Sequence, residues 1–419
     1  MARVVIVGAG PAGALLALLL AREGVEVDLL ERQTDFEREF RGEILMPSGL
    51  AMFDEVGLGE AFAAVPSRAI ERLEAYRGAK RLLAVDVGTL IADGSRPRAV
   101  SQPAMLEMLA GEGARLPGHR LVRGALVRGT IAERGRAVGV RAQVGGVERE
   151  FRGDLVIGAD GRFSVLRTGS GLHEERSPQS FDVVWCKVPG GVPGFEGGGV
   201  RVYLGDAHFA VIFPSFDDRL QIGWVIDKGS YGEVRARGVG AWIDDLAGHV
   251  SPDVAAHLRA HRDGAAHPFL LSVVCDRLVR WTKPGLLLLG DAAHPMSPVG
   301  GQGLNMALRD AVVAANRLGP VLAAGAGPDA IDAAAAAVQA ERLPETVAIQ
   351  ERQERVPPLL FGSRWRSRLV FDGLAPLLVK LGLLQRVFAT NLRVFARGAS
   401  EVRYGRGGAT SPSGTTGSR

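Results

Sequence analysis

Two stretches put chemistry-bearing residues at spacings suited to holding a ligand. The first is Gly8-Ala9-Gly10-Pro11-Ala12-Gly13, with Glu31 ending the next apolar run. In such a run Gly8 permits a tight turn, Gly10 lets a pyrophosphate approach the main chain, and Gly13 lets a helix pack closely on a strand. A carboxylate about twenty residues further on accepts hydrogen bonds from ribose hydroxyls. The second is "GDAAHPMSPVGGQGLNMALRDA", residues 290–311. Asp291 can hold sugar-alcohol hydroxyls, and Pro295 and Pro298 fix the loop path. Gly300, Gly301 and Gly303 leave bare main chain against which a flat ring can lie.

These residues need elements to position them. "RVVIV" reads as a buried strand running into the glycine turn. An alanine- and leucine-rich helix follows to a Gly24 cap, and "VEVDLLE" gives a second strand. The helix would offer free N–H groups and a partial positive charge to phosphates. Ahead of the second loop, Leu286 to Leu289 read as another buried strand. After it, Leu304, Ala307, Leu308, Ala311 and Ala315 recur at helical spacing. That helix would point its N-terminus at the ligand. A third unit, "DLVIGADGRFSVLR", is a strand with a turn at Asp160-Gly161. By itself the first fingerprint suits FAD or NAD equally.

Composition narrows the class. The chain has 419 residues, 47% of them hydrophobic, with a formal net charge of +4. That length supports a large core. No dense basic block points to nucleic acid. Two cysteines, Cys186 and Cys275, lie far apart without metal-type spacing, so neither a disulfide framework nor a metal site is expected. The cysteine usage leads us to expect a reducing, cytoplasmic setting. The apolar N-terminus is broken by glycines and a proline, which argues against a signal peptide. No uncharged run is long enough to cross a membrane.

The three units, in this order, resemble the flavoprotein monooxygenases of the para-hydroxybenzoate hydroxylase family over roughly residues 1–350. The resemblance implies an α/β (α+β overall) fold: a Rossmann-like FAD-binding domain, an inserted antiparallel-sheet substrate domain and a helical C-terminal segment. The FAD domain would take residues 1–74, 97–176 and 263–360, and the substrate sheet 75–96 and 177–262. C-terminal helices would span 361–403, with a disordered tail at 404–419. Gly8, Gly10, Pro11, Ala12, Gly13 and Glu31 would hold the ADP half of non-covalent FAD, with Arg32 flanking the adenosine. Arg41 and Gln102 match further FAD contacts, and Asp160 belongs to a motif shared between FAD and NAD(P)H handling. Asp291 would bind the ribityl chain, while Pro298, Gly301, Gly303, Leu304 and Asn305 would line the isoalloxazine.

The middle of the chain reads as short alternating strands. Tyr203, His208, Phe213 and Trp224 are its candidate substrate contacts. Alternation sets His208 with Ala210 and Ile212, and puts Phe213 on the opposite face. His294 reads as a structural histidine, and the basic, apolar C-terminal segment as helices packed on the FAD domain. What the resemblance implies is an FAD-dependent hydroxylase of an aromatic, phenolic or polycyclic, small molecule. It would consume NADH or NADPH and O2 and work through a flavin C4a-hydroperoxide, with no catalytic side chain named. A geranylgeranyl-reductase-like enzyme and a redox-silent binding protein are the alternatives on this fold. The halogenase Trp-x-Trp-x-Ile-Pro signature is absent, "GWVID" carrying one tryptophan. Monomer and dimer both remain open.

Overall fold

The computed structural model describes residues 1–37, 43–91, 94–192, 195, 197–205, 209–265, 268–355, 390 and 392–405. Arg41, His208 and most of the expected 361–403 helices lie outside these residues. The 404–419 segment is described only at Tyr404 and Gly405. Both are tied to the body: the Tyr404 hydroxyl donates to Glu23 at 3.4 Å and the Gly405 amide to Asn316 at 3.0 Å.

A six-stranded sheet runs in the order Thr282–Lys283, Leu286–Leu288, Leu155–Gly158, Arg3–Val7, Glu26–Glu31, His119–Arg123. All neighbours are parallel except the first pair. Parallel strands are covered on both faces, which is why they read as unbroken apolar runs. Val4, Val5 and Ile6 are fully buried. Every residue of helix Pro11–Arg22 from Ala12 to Ala21 is buried, between this sheet and helix Gly303–Ala323. Burial of each of its leucines contributes roughly 1.5–3 kcal/mol. The strands end at one edge, so Gly8, Glu31, Asp160 and Asp291 are delivered side by side.

A seven-stranded sheet stands over that edge. Its order is Phe269–Leu271, Phe181–Val188, Leu220–Asp227, Phe209–Pro214, Gly199–Leu204, Arg72–Arg77, Lys80–Asp86. It is mixed, not antiparallel throughout, because Gly199–Leu204 runs parallel to Arg72–Arg77. A parallel pair needs a long crossover, and here the chain passes through the first sheet between the two strands. The sheet also extends past the expected limits, beginning at Arg72 and gaining Phe269–Leu271. Helices Val239–Ala247 and Pro252–Ala260 cover its outer face with Trp242, Ile243, Leu246, Val254 and Leu258. Its inner face looks toward the C-terminal edge of the six-stranded sheet.

Candidate cofactor and substrate site

The three glycines of the first turn divide their work. Gly8 has φ of 98°, and a Cβ there would lie 2.4 Å from the Ala159 carbonyl oxygen. A Cβ on Gly13 would lie 2.0 Å from the Gly8 carbonyl oxygen. Both positions are therefore closed by the fold itself. Gly10 differs: its backbone is ordinary, with φ of −72°, and a Cβ would meet no protein atom within 4 Å. It faces open cavity at the start of helix Pro11–Arg22, which has no side-chain cap. Uncapped first-turn N–H groups and the helix dipole make that opening an anion site.

Glu31 is held across the turn. Its carboxylate accepts from the Ala9 amide at 2.9 Å and the Gln33 amide at 3.0 Å, and only 4% of the residue is exposed. Gly8, Gly10, Pro11, Ala12, Glu31 and Arg32 line one end of a continuous cavity of about 1350 Å³. Gly13 lies behind the turn and does not reach it. Gln102, first residue of helix Gln102–Ala114, lines the cavity too, and the helix is capped by Ser101 in its place.

Asp160 borders the same space, but its carboxylate is taken up locally. It accepts from the Ser164 hydroxyl at 2.5 Å, the Val165 amide at 2.8 Å and the Leu166 amide at 3.3 Å. Burial pushes its carboxyl pKa up, against these bonds. Next to it, Arg162 escaped the sequence reading. It donates to Asp291 at 3.1 Å and to the carbonyls of Ser272 at 3.3 Å and Met296 at 3.1 Å. It thereby ties the 160–162 turn to the loop that carries Asp291.

Asp291, Pro298, Gly301, Gly303 and Leu304 line the middle of the cavity. Gly300 and Gly301 have φ of 74° and 61°, which glycine tolerates without strain. Asn305 is fully buried and absent from the lining. Its amide accepts from the Met46 N–H at 2.8 Å and donates to the Gly301 carbonyl at 2.7 Å. Its side chain thus braces the loop from behind. Gln302 donates to the carbonyls of Gly300 at 2.8 Å and Phe395 at 3.0 Å, fastening the 392–397 helix to the loop.

Under the loop lies a buried ionic network. Asp310 accepts from His294 at 2.7 Å, the Gly290 amide at 3.1 Å and Arg342 at 2.7 Å. Arg342 and Arg309 both pair with Glu345. Burial would raise both carboxyls, yet His294 and Arg342 draw Asp310, and Arg342 and Arg309 draw Glu345, down to about 2. His294 is 1% exposed and acts as a buried support, as its position in the sequence suggests.

The far wall is the inner face of the seven-stranded sheet. Phe213 is on it. Tyr203 and Trp224 are not, and their expected substrate contact is corrected. Strand alternation turns both to the outer face, where Tyr203 bonds Ser251 at 2.8 Å and Trp224 packs 5.6 Å from Trp242. The sequence reading passed over Trp185, Gln221 and Glu43, which line the cavity. Glu43 joins Lys187 and Ser215 in a buried cluster, with Lys187 3.0 Å from Glu43 and 2.8 Å from Ser215. Burial pushes the Glu43 carboxyl up in spite of Lys187.

The cavity exceeds the roughly 300–1,000 Å³ usual for one small ligand, so it has room for a cofactor and a substrate. The open cradle at Gly10, the uncapped helix and the bare glycines beside Asp291 suit a dinucleotide ending in a flat ring. Residues 1–348 match the family model described as an FAD binding domain. The chain is 33% identical over 358 residues to a 6-methylpretetramide 4-monooxygenase of Streptomyces rimosus, covering 84% of this chain and 82% of that protein. Among solved structures it resembles PqsL of Pseudomonas aeruginosa in complex with 2-aminobenzoylacetate. The TM-score is 0.74 at 25% identity, over 88% of this chain and 99% of that one. The fold is shared with p-nitrophenol 4-monooxygenase PnpA of Pseudomonas putida DLL-E4, with a TM-score of 0.75 at 20% identity, over 96% and 100% of the two chains.

Proposed function

Because the chain belongs to the FAD binding domain family, we propose that it is an FAD-dependent monooxygenase hydroxylating an aromatic small molecule, phenolic or polycyclic. NADH or NADPH is the reductant and O2 the oxygen source. The observation that carries this reading is the single cavity leading from Gly10, past Asp291 and Gly301, to an apolar sheet face. It offers one path for a dinucleotide and an apolar compartment at its end. The relative named a 6-methylpretetramide 4-monooxygenase, and PqsL, described as a probable FAD-dependent monooxygenase, support the same class.

Bound FAD supplies the redox chemistry: nicotinamide gives two electrons, one oxygen atom of O2 enters the substrate and the other leaves as water. The protein positions and shields. The N–H groups at the start of helix Pro11–Arg22 would receive the pyrophosphate at Gly10, where no side chain intrudes. Glu31 would accept from ribose hydroxyls, and Arg32 would flank the adenosine. Asp291 would accept from the ribityl hydroxyls, and Arg162 holds its carboxylate in place. The first turn of helix Gly303–Ala323 would offer the Gly303 and Leu304 amides to the ring, where a positive dipole favours negative charge. Val183, Val211, Phe213 and Val225 exclude water from the substrate side.

The purified protein is expected to carry FAD and to oxidise NADH or NADPH faster when a phenol or polycyclic phenol is added. A protein that takes up no FAD, or whose oxidation rate no aromatic changes, would contradict the proposal. Conversion of substrate without oxygen would assign a reductase instead.

A further inference from the structure

The inner face of the seven-stranded sheet carries two features that no cofactor contact uses. The first is Trp185. It is half-buried, lines the cavity, and faces Gly223 directly across the strand pair. A Cβ on Gly223 would lie 2.7 Å from the indole ring. The indole therefore lies down across strand Leu220–Asp227 instead of standing beside a neighbour. Phe213 meets it edge-on, with centroids 6.3 Å apart and planes at 76°. The indole alone forms the floor, and the Phe213 ring is nearly perpendicular to it.

The second feature is Gln221, one row along. It sits between Lys187 and Phe213 on the neighbouring strands. It is 2% exposed and lines the cavity, and its side-chain oxygen has no hydrogen-bond partner among the described residues. Lys187 beside it is engaged by Glu43, Ser215 and Asp217. A buried acceptor left open is costly, and a ligand hydroxyl would close it. Rows two residues apart on a strand are about 6.6 Å from each other. A single ring stacked on Trp185 falls largely within one row, whereas a fused pair extends into the next.

Resting on the hydroxylase reading above, we propose that Trp185, laid on Gly223, stacks a fused aromatic ring system and that Gln221 accepts a hydrogen bond from its hydroxyl. The preferred substrate is then a fused-ring phenol, bound with its hydroxylated edge toward the Gln221–Glu43 corner. Trp185 sets ring number and Gln221 sets orientation.

The test is equilibrium dialysis of the oxidised FAD-loaded protein with three probes: 2-naphthol, 2-methoxynaphthalene and phenol. The wild-type protein should bind 2-naphthol more tightly than either of the others. Trp185→Leu should weaken 2-naphthol about tenfold and phenol far less, and Trp185→Phe should restore most of the loss. Gln221→Leu should bring 2-naphthol down to the affinity of its methyl ether without moving the ether. FAD content and Tm report folding, and Trp185→Phe with Gln221→Leu carry the test if Trp185→Leu does not fold. Unchanged 2-naphthol binding in Trp185→Leu or Gln221→Leu overturns the proposal. So does wild-type protein that binds 2-naphthol no better than phenol. No turnover is required, so this failure is separate from failure of the hydroxylase reading, which would show as lost FAD binding or unresponsive NAD(P)H oxidation.

Discussion

The Asn305 amide oxygen lies 2.8 Å from the Met46 N–H, joining the loop at the centre of the site to a segment far away in sequence. The fit is close: a Cβ on Gly49 would come 2.2 Å from that oxygen. Asn305 thereby fixes how the start of helix Gly303–Ala323 sits against the Met46 segment. Asn305→Ala leaves the buried Met46 N–H unpaired, at about 1–3 kcal/mol, and removes the part-buried bond to the Gly301 carbonyl. Lower Tm and faster loss of FAD on dialysis are the expected outcomes, without any change in the residues that line the cavity.

The glycines of the first turn should separate folding from binding. Gly10→Val fills open space, so the apo protein should keep its Tm while FAD affinity falls at least about tenfold, a loss of about 1.4 kcal/mol. Gly13→Ala drives a Cβ into the Gly8 carbonyl, and overpacking of this kind costs about 1–3 kcal/mol. It should lower the Tm of the apo protein. Paired apo melting curves and FAD titrations check both.

Asp310 holds His294, Gly290 and Arg342 together beneath the loop. Asp310→Asn leaves Arg342 short of a buried counter-charge, and breaking such a pair costs about 3–5 kcal/mol. The pH dependence follows from the lowered carboxyls. Asp310 and Glu345 sit at about 2 when folded, against about 4 unfolded. Between these values the unfolded chain binds more protons, so stability rises with pH there. Their contribution is complete above the unfolded values and is lost as pH falls toward about 2. Melting curves across this acid range should show a shallower slope for Asp310→Asn than for the wild-type protein.

Phe395 closes the cavity from the C-terminal side. A Cβ on Gly300 would lie 2.8 Å from its ring. Phe395→Ala opens a void beside the loop and, by analogy with other buried phenylalanines, costs about 3–5 kcal/mol. Water admitted there should raise the hydrogen peroxide formed per NAD(P)H consumed. A peroxide assay run beside NAD(P)H oxidation checks it.

The turns and bare loop that line one end and the middle of the cavity were legible because their determinants are local. A tight turn, a bare helix start and a carboxylate at a strand end are set by a few adjacent residues, and Gly8, Gly10, Glu31 and Asp291 stand where their spacing put them. Asn305 was expected at the ring, but its side chain is spent on Met46, a contact no local pattern announces. The substrate wall was harder. Alternation correctly separated Phe213 from Ala210 and Ile212, but it cannot tell which face meets the cofactor, so Tyr203 and Trp224 were chosen on the helix-covered side. Trp185 stayed hidden because "FDVVWCKV" is buried on both faces and lacks a polar rhythm. A glycine inside "LQIGWVID" was the available signal, since a strand-interior glycine marks the close approach of another group.

The most direct test of the central claim is mass spectrometry of the product formed under 18O2 by the FAD-loaded protein with NAD(P)H and a fused-ring phenol. The expected result is one 18O atom in the product and one NAD(P)H consumed for each coupled turnover. Product formed without oxygen, or carrying oxygen from water alone, would contradict it.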